Sequence, residues 1–407
     1  MTGNHTTSAG GPRRGGSRVG ANLLLAAAGL LASLVICELV LRALGVNYAV
    51  YVWTDPVRGV AHIPGAKGRR IQINSDGWRG PETTLEAPAG TYRIALLGDS
   101  YIEAFEVPFE ETAGEVIERR LSDLRGTPVE VLNFGHGGYG TTQQLLTLQH
   151  EVWKYSPDLV LLGVTTGNDI SDNYQPLKRI DYVPYHVFRN GELVVDTSFL
   201  QSRGYRSRTS WTRRWSGVVQ HSRLAQLVNR VRHLARKEER QQKNAGVTPG
   251  VEVGLRDEVQ LPPTTPEWQE AWRVTEGVLR LMRDECRSKG TPFGIITLTR
   301  GIQVTPDREK KERFMRQLGV EDLYYPERRL AEFGRREGIP VLNLAPTMAE
   351  QAEERQVYFH AYRDSLGIGH WSKEGHEAAG KLIASWLAAG WDSTSAADVH
   401  PVRSDTE

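Results

Sequence analysis

From Tyr92 onward, short apolar runs alternate with segments of helical periodicity, and each run stops at a turn former. "YRIALLGDS" is followed by a helical pattern over Glu111 to Leu124, "VEVLNFG" by "TTQQLLTLQHEVWKY", and "PDLVLLGVTTGND" makes a third run. After a break the rhythm resumes. A helix is predicted over 266–288, then a strand in "PFGIITLT", a helix around 325–337, a strand in "IPVLNLA" and a helix over 373–389. Runs apolar at consecutive positions, rather than at alternate ones, belong to strands buried on both faces. With helices between them they predict an α/β protein: a flavodoxin-like three-layer α/β/α sandwich around a five-stranded parallel sheet. No internal repeat is evident.

In such a sheet, ligands bind outside the carboxyl ends of the strands. Three polar clusters fall there. Ser100 follows the first strand, Gly137 and Gly138 the second, and Asn168 and Asp169 the third.

The remainder divides by composition. Residues 1–19 are rich in Gly, Ser and Thr with Arg13, Arg14 and Arg18, and are expected to be a disordered cytoplasmic tail. Val19 to Cys37 carries no charge and continues into "ELVLRALGV", so 20–45 reads as a transmembrane signal-anchor helix. Glu38 and Arg42 stand i,i+4 and can pair at the interface. The arginines before the span put the N-terminus in the cytoplasm and the rest outside it, in the periplasm or at the cell surface. A cleaved signal peptide, with Ala43-Leu44-Gly45 as its small-x-small site, is the other reading. Ile36 before Cys37 speaks against a lipoprotein. Residues 46–91 are a lead-in dense in turn formers. Residues 92–390 form the main domain, and 391–407 a disordered tail. Within it, 176–262 is a basic, partly disordered insertion with one amphipathic helix near 217–240. Its Trp-bearing stretch 203–243 suits anionic headgroups or, equally, a solvated helix and linker.

Charge balance narrows the partners. Of 407 residues, 50 are basic and 49 acidic, for a formal charge of +1, which argues against nucleic-acid binding. Cys37 and Cys286 are too few for a disulfide framework and read as unpaired thiols.

Each cluster has a plain reading and a chemical one. Ser100, on the turn leaving a buried strand, is a turn or cap serine, or a nucleophile if a base stands near. Asn168 is a turn residue, or an amide donor to an oxyanion. The glycine-rich "NFGHGGYGT" is a plain turn, or a source of backbone N–H groups for an anion, and it lacks the lysine of a P-loop. His136 beside it reads as structural. His370 lies in a glycine-flanked loop before a helix capped by Ser372, where a general base fits. His376, inside that helix, reads as structural or surface. His370 and His376 are wrongly spaced for a metal, and no metal or cofactor is expected. Taken together, a nucleophile, two oxyanion donors and a base at one sheet edge satisfy the requirements of acyl transfer.

At this point the chain resembles the SGNH, or GDSL-type, hydrolases. "GDSY" matches the first family block with Tyr101 for the usual Leu, "NFGHGGYGT" the second, "GND" the third and "GHWSKEGH" the last. The resemblance covers about 92–175 and 266–390. The lead-in "INSDGWRGPE" and the apolar N-terminal helix are similar to those of membrane-tethered bacterial members. The resemblance implies a serine esterase with Ser100 as nucleophile, His370 as base, and Gly138 and Asn168 in the oxyanion hole. The substrate would be an ester-bearing glycan or lipid, with O-acetylated glycans suggested by an envelope location. The family's acid usually stands two or three residues before the histidine, where this chain has Ile368 and Gly367. Two expectations follow. Either Asp364 reaches the ring across a glycine-rich bulge, or a main-chain carbonyl orients it. The displaced acid also motivates a different class, a non-catalytic envelope binding or assembly protein on a degenerate scaffold. An O-acetyltransferase is a third possibility.

Overall fold

The computed structural model describes residues 15–243, 255–362 and 365–390. The chain begins with α1 (Gly15–Ala43), followed by a hairpin of β1 (Val52–Asp55) and β2 (Gly59–His62). β3 (Tyr92–Gly98) runs into a single helical turn, α2 (Ser100–Glu103), and then α3 (Ala113–Arg125). β4 (Val129–Gly135), α4 (Thr141–His150) and β5 (Leu159–Thr165) follow, and two short helices, α5 (Asp169–Asp172) and α6 (Gln175–Lys178), leave the end of β5. A second hairpin, β6 (Tyr185–Arg189) with β7 (Glu192–Asp196), precedes α7 (Arg203–His221) and α8 (Arg223–Lys243). The alternation then resumes through α9 (Pro266–Ser288), β8 (Phe293–Leu298), α10 (Arg308–Leu318), α11 (Tyr325–Glu337), β9 (Val341–Asn343) and α12 (Ala345–Arg355). The last elements are β10 (His360–Tyr362), β11 (Ser365–Trp371) and α13 (Lys373–Ala388).

The central sheet has the order β4-β3-β5-β8-β9, and every pairing in it is parallel. This is the flavodoxin-like sandwich expected from the run pattern. Alternate side chains of each strand serve opposite cores. Ala95 and Leu97 pack with Leu145, Trp272 and Phe333 under α4, α9 and α11. Ile94 and Leu96 pack with Ile117, Met348 and Ile383 under α3, α12 and α13. Burial on both faces is why these strands read as unbroken apolar runs, each large side chain contributing about 1.5–3 kcal/mol.

The structure departs from expectation in several segments. The lead-in holds the β1–β2 hairpin and two isolated bridges. The β6–β7 hairpin and α7 and α8 occupy the stretch where one helix was expected. α10 and α12 were not anticipated either, because α10 buries no residue and α12 only one narrow face. Residues 15–19 begin α1, whereas the expected tails at 1–14 and 391–407 lie outside the described residues.

Contacts divide the chain into two units, Met1–Val50 with Ser216–Lys243, and Tyr51–Trp215 with Asn244–Glu407. In the smaller unit, Gly20–Ala43 is long and apolar enough to cross a membrane, and its side chains are exposed. Glu38 and Arg42 pair at 2.8 Å, as their spacing suggested. The Glu38 carboxylate accepts from Ser222 Oγ at 3.0 Å, Arg223 N at 2.9 Å and Leu224 N at 3.0 Å, so it caps the start of α8. Arg42 donates to the His221 carbonyl at 2.6 Å, satisfying the end of α7.

Candidate active site

Ser100 is delivered by the turn from β3 into α2. The buried Asp99 caps that turn, its Oδ1 accepting from Tyr101 N at 3.0 Å. Asp99 also accepts from Thr165 Oγ1 at 2.9 Å and from Asn168 Nδ2 at 3.2 Å. One buried carboxylate thus ties the ends of β3 and β5 together. At the end of β4, Gly135 lies so close to α2 that a Cβ on it would sit 2.2 Å from Glu103 N. Gly138 adopts φ +79°, a conformation glycine tolerates. Among the described residues, the backbone N–H groups of Ser100 and Gly138 have no hydrogen-bond acceptor.

His370 sits on β11 and not in a loop. Its ring reaches Ser100, with Nε2 2.7 Å from Oγ. The preceding carbonyl, Gly369 O, accepts from His360 Nδ1 at 2.8 Å and from the Tyr101 hydroxyl at 3.2 Å. Trp371 is buried and donates from Nε1 to Thr299 Oγ1 at 2.8 Å. His370 is therefore held on both sides along its backbone. Tyr101 is one of the anchors.

The far ring nitrogen, Nδ1, lies 3.0 Å from Glu106 Oε1, in a contact bent away from the ideal hydrogen-bond line. Such bent geometry is common in sites without substrate. Of the two expectations for the acid, Asp364 lies outside the described residues. Among the described residues, the carboxylate beside Nδ1 is Glu106. Glu106 comes from the loop between α2 and α3, downstream of the nucleophile. Its position depends on the lead-in. The buried Arg79 guanidinium donates to the carbonyls of Glu103 at 2.6 Å, Ala104, and Val107 at 2.5 Å, bracketing Glu106 on both sides. The signal is in "DSYIEAFEV", with two carboxylates just after Ser100 but far from the histidine in sequence.

The electrostatics agree with the geometry. Burial pushes the His370 imidazole down, but Glu106, with Asp99 and Glu103 behind it, outweighs that and raises its pKa. Burial alone would lift Glu106. His370 and Arg79 hold it below the ordinary carboxylate value. With Glu106 at Nδ1, the proton belongs there and Nε2 is left to accept from the Ser100 hydroxyl.

Three other histidines have structural work. His376 Nδ1 accepts from Ala113 N at 3.2 Å, supporting the start of α3. His62 Nε2 lies 2.7 Å from Glu103 Oε1, and His136 Nδ1 donates to Gly137 O at 2.9 Å. Donor atoms of His62, Glu103 and His136 fall within 4.8 Å of one another. The two rings stack at 4.2 Å with 28° between planes, so their lone pairs run side by side and do not converge. Arg58 and Arg79 already supply positive charge to this cluster, which fits a buried ion-pair network better than a cation centre.

A cavity of about 740 Å³ opens at Gly138 and Asn168. A larger one, about 840 Å³, lies against the lead-in among Glu110, Glu115, Glu118 and Glu130, away from Ser100 and His370.

No family model and no curated protein matches the chain. Solved structures do. A lipase from a goat rumen metagenome is 12% identical over 74% of this chain and 98% of its own, with a TM-score of 0.38. A putative lipolytic protein of the G-D-S-L family from Desulfitobacterium hafniense is 11% identical over 72% and 98%, with a TM-score of 0.32. A catalytic mutant of an acetylxylan esterase from Geobacillus stearothermophilus is 12% identical over 74% and 95%, with a TM-score of 0.36. These are likenesses of fold.

Proposed function

We propose that the chain is a serine esterase of the SGNH type, tethered to a membrane by α1 and acting outside the cytoplasm. One observation carries the reading: Ser100 Oγ lies 2.7 Å from His370 Nε2, and Glu106 Oε1 lies 3.0 Å from His370 Nδ1. His370 Nε2 takes the Ser100 proton as Oγ attacks the ester carbonyl. Glu106 holds the Nδ1 proton and stabilises the imidazolium. The oxyanion is received by the N–H groups of Ser100 and Gly138 and by the Asn168 amide. Collapse expels the alcohol, which leaves with the proton from Nε2. Water then attacks the acyl-enzyme, giving a proton to Nε2 that returns to Ser100 as the acid departs. None of these steps calls on a metal or cofactor.

The motive for a non-catalytic scaffold was the empty acid position upstream of His370, and Glu106 supplies a carboxylate from elsewhere. An O-acetylated glycan fits an enzyme on the envelope. The test is labelling by a fluorophosphonate probe followed by assay on acetylated glycans. Wild type should label and release acetate, and Ser100→Ala should do neither. A folded wild type that fails to label would sink the reading.

A further inference from the structure

The proposed oxyanion donors on both sides of the hole are tied to one buried ion pair. Lys178, at the end of α6, donates from Nζ to Gly138 O at 2.7 Å and to Asp172 Oδ2 at 3.0 Å, with its side chain only 5% exposed. Asp172, at the end of α5, is held by Lys178, and its backbone N–H donates to Asn168 O at 2.8 Å. Gly140 packs so tightly on α5 that a Cβ there would lie 3.2 Å from Asp172 Cβ. Lys178, Asp172, Gly138 and Asn168 all line the same cavity.

Two physical consequences follow. An uncompensated carboxylate beside a site where negative charge develops opposes that charge, most strongly where water is excluded. Lys178 cancels the Asp172 charge and relieves that opposition. Its second bond acts on geometry. Gly138, at φ +79°, has no side chain to fix its peptide, and the Lys178 ammonium grips that carbonyl.

We propose that Lys178 is a positioning residue for the oxyanion hole, neutralising Asp172 and locking the Gly138 loop. The inference rests on the esterase reading. The test uses the full chain in detergent with 4-nitrophenyl acetate and four proteins: wild type, Lys178→Met, Lys178→Arg and the double variant Lys178→Met/Asp172→Asn. Lys178→Met should lower kcat by about 10- to 100-fold and leave KM within about threefold, the pattern of a lost transition-state interaction. Its melting temperature should fall, because a buried carboxylate loses its partner, so the assay is run well below it. Lys178→Arg should keep most of the activity. The double variant should fall between wild type and Lys178→Met, because the buried charge is gone but the grip on Gly138 is not restored. A folded Lys178→Met with wild-type kcat overturns the proposal. If that variant does not fold, a double variant with wild-type kcat overturns it instead. Absence of Ser100-dependent turnover in wild type would strike the esterase reading first and this inference with it.

Discussion

Glu106 changes what each member of the site can do. A carboxylate at His370 Nδ1 fixes the tautomer and stabilises the imidazolium, which a neutral carbonyl does less well. Glu106→Gln should therefore cut kcat by about 10²-fold or more in ester hydrolysis, with little change in KM. The pH profile provides a second readout. Under the proposed mechanism, activity requires neutral His370, so the rate should rise as pH passes through its pKa, which lies above the ordinary histidine value. Removing the Glu106 charge should move that acidic limb to lower pH. A limb that stays in place would mean Glu106 does not act on the ring. Asn168→Ala should lower kcat by about 10²–10³-fold, checked by the same assay. Ser100, Gly138, Asn168 and His370 were legible in the sequence because each sits at a strand end or helix start with its own local signature. Glu106 was not, because its role depends on a loop folding back to a residue near the other end of the chain.

Among elements, α3 offers a test of burial against charge. Burial, and then repulsion from Glu118 and Glu110, raise the Glu115 carboxyl to about 7. Its folded-state pKa lies above the ordinary value, so the fold favours the protonated form. Stability is full below the ordinary carboxyl range and is lost as pH rises through about 7. Glu115→Gln should raise the melting temperature at pH 8 and leave it nearly unchanged at pH 4.5. An equal shift at both values would remove charge as the cause. Thr112→Ala should cost about 1 kcal/mol in denaturant unfolding, because Thr112 Oγ1 accepts from Glu115 N at 3.4 Å at the start of the same helix. The doubly buried strands and long amphipathic helices were readable from periodicity. The β1–β2 and β6–β7 hairpins were not. Their strands are four or five residues long and mix polar with apolar side chains, so no period has room to appear.

For the molecule as a whole, α1 is the one described helix with the length and composition of a membrane span. Read as an anchor, it should keep the full chain in the membrane pellet through alkaline extraction. Leu30→Arg, at the middle of the apolar stretch, should release part of it, since an arginine there costs about 2.5–3.5 kcal/mol of insertion. Complete release of wild type would favour a cleaved signal peptide. The Glu38–Arg42 pair adds a structural reason for retention, because both side chains serve the α7–α8 junction and cleavage after Gly45 would strip them away.

The Arg79 guanidinium has a bearing on where the domain with its site begins. Judged by its sheet, the domain starts at Tyr92, and a chain begun there would keep every parallel strand, Ser100 and His370. It would lack the side chain that clasps the Glu106 loop from three carbonyls. The boundary of the fold and the boundary of the chemistry are thus different places in the sequence. Transplanting this site onto another sandwich would require carrying along a segment that contributes no strand to the central sheet.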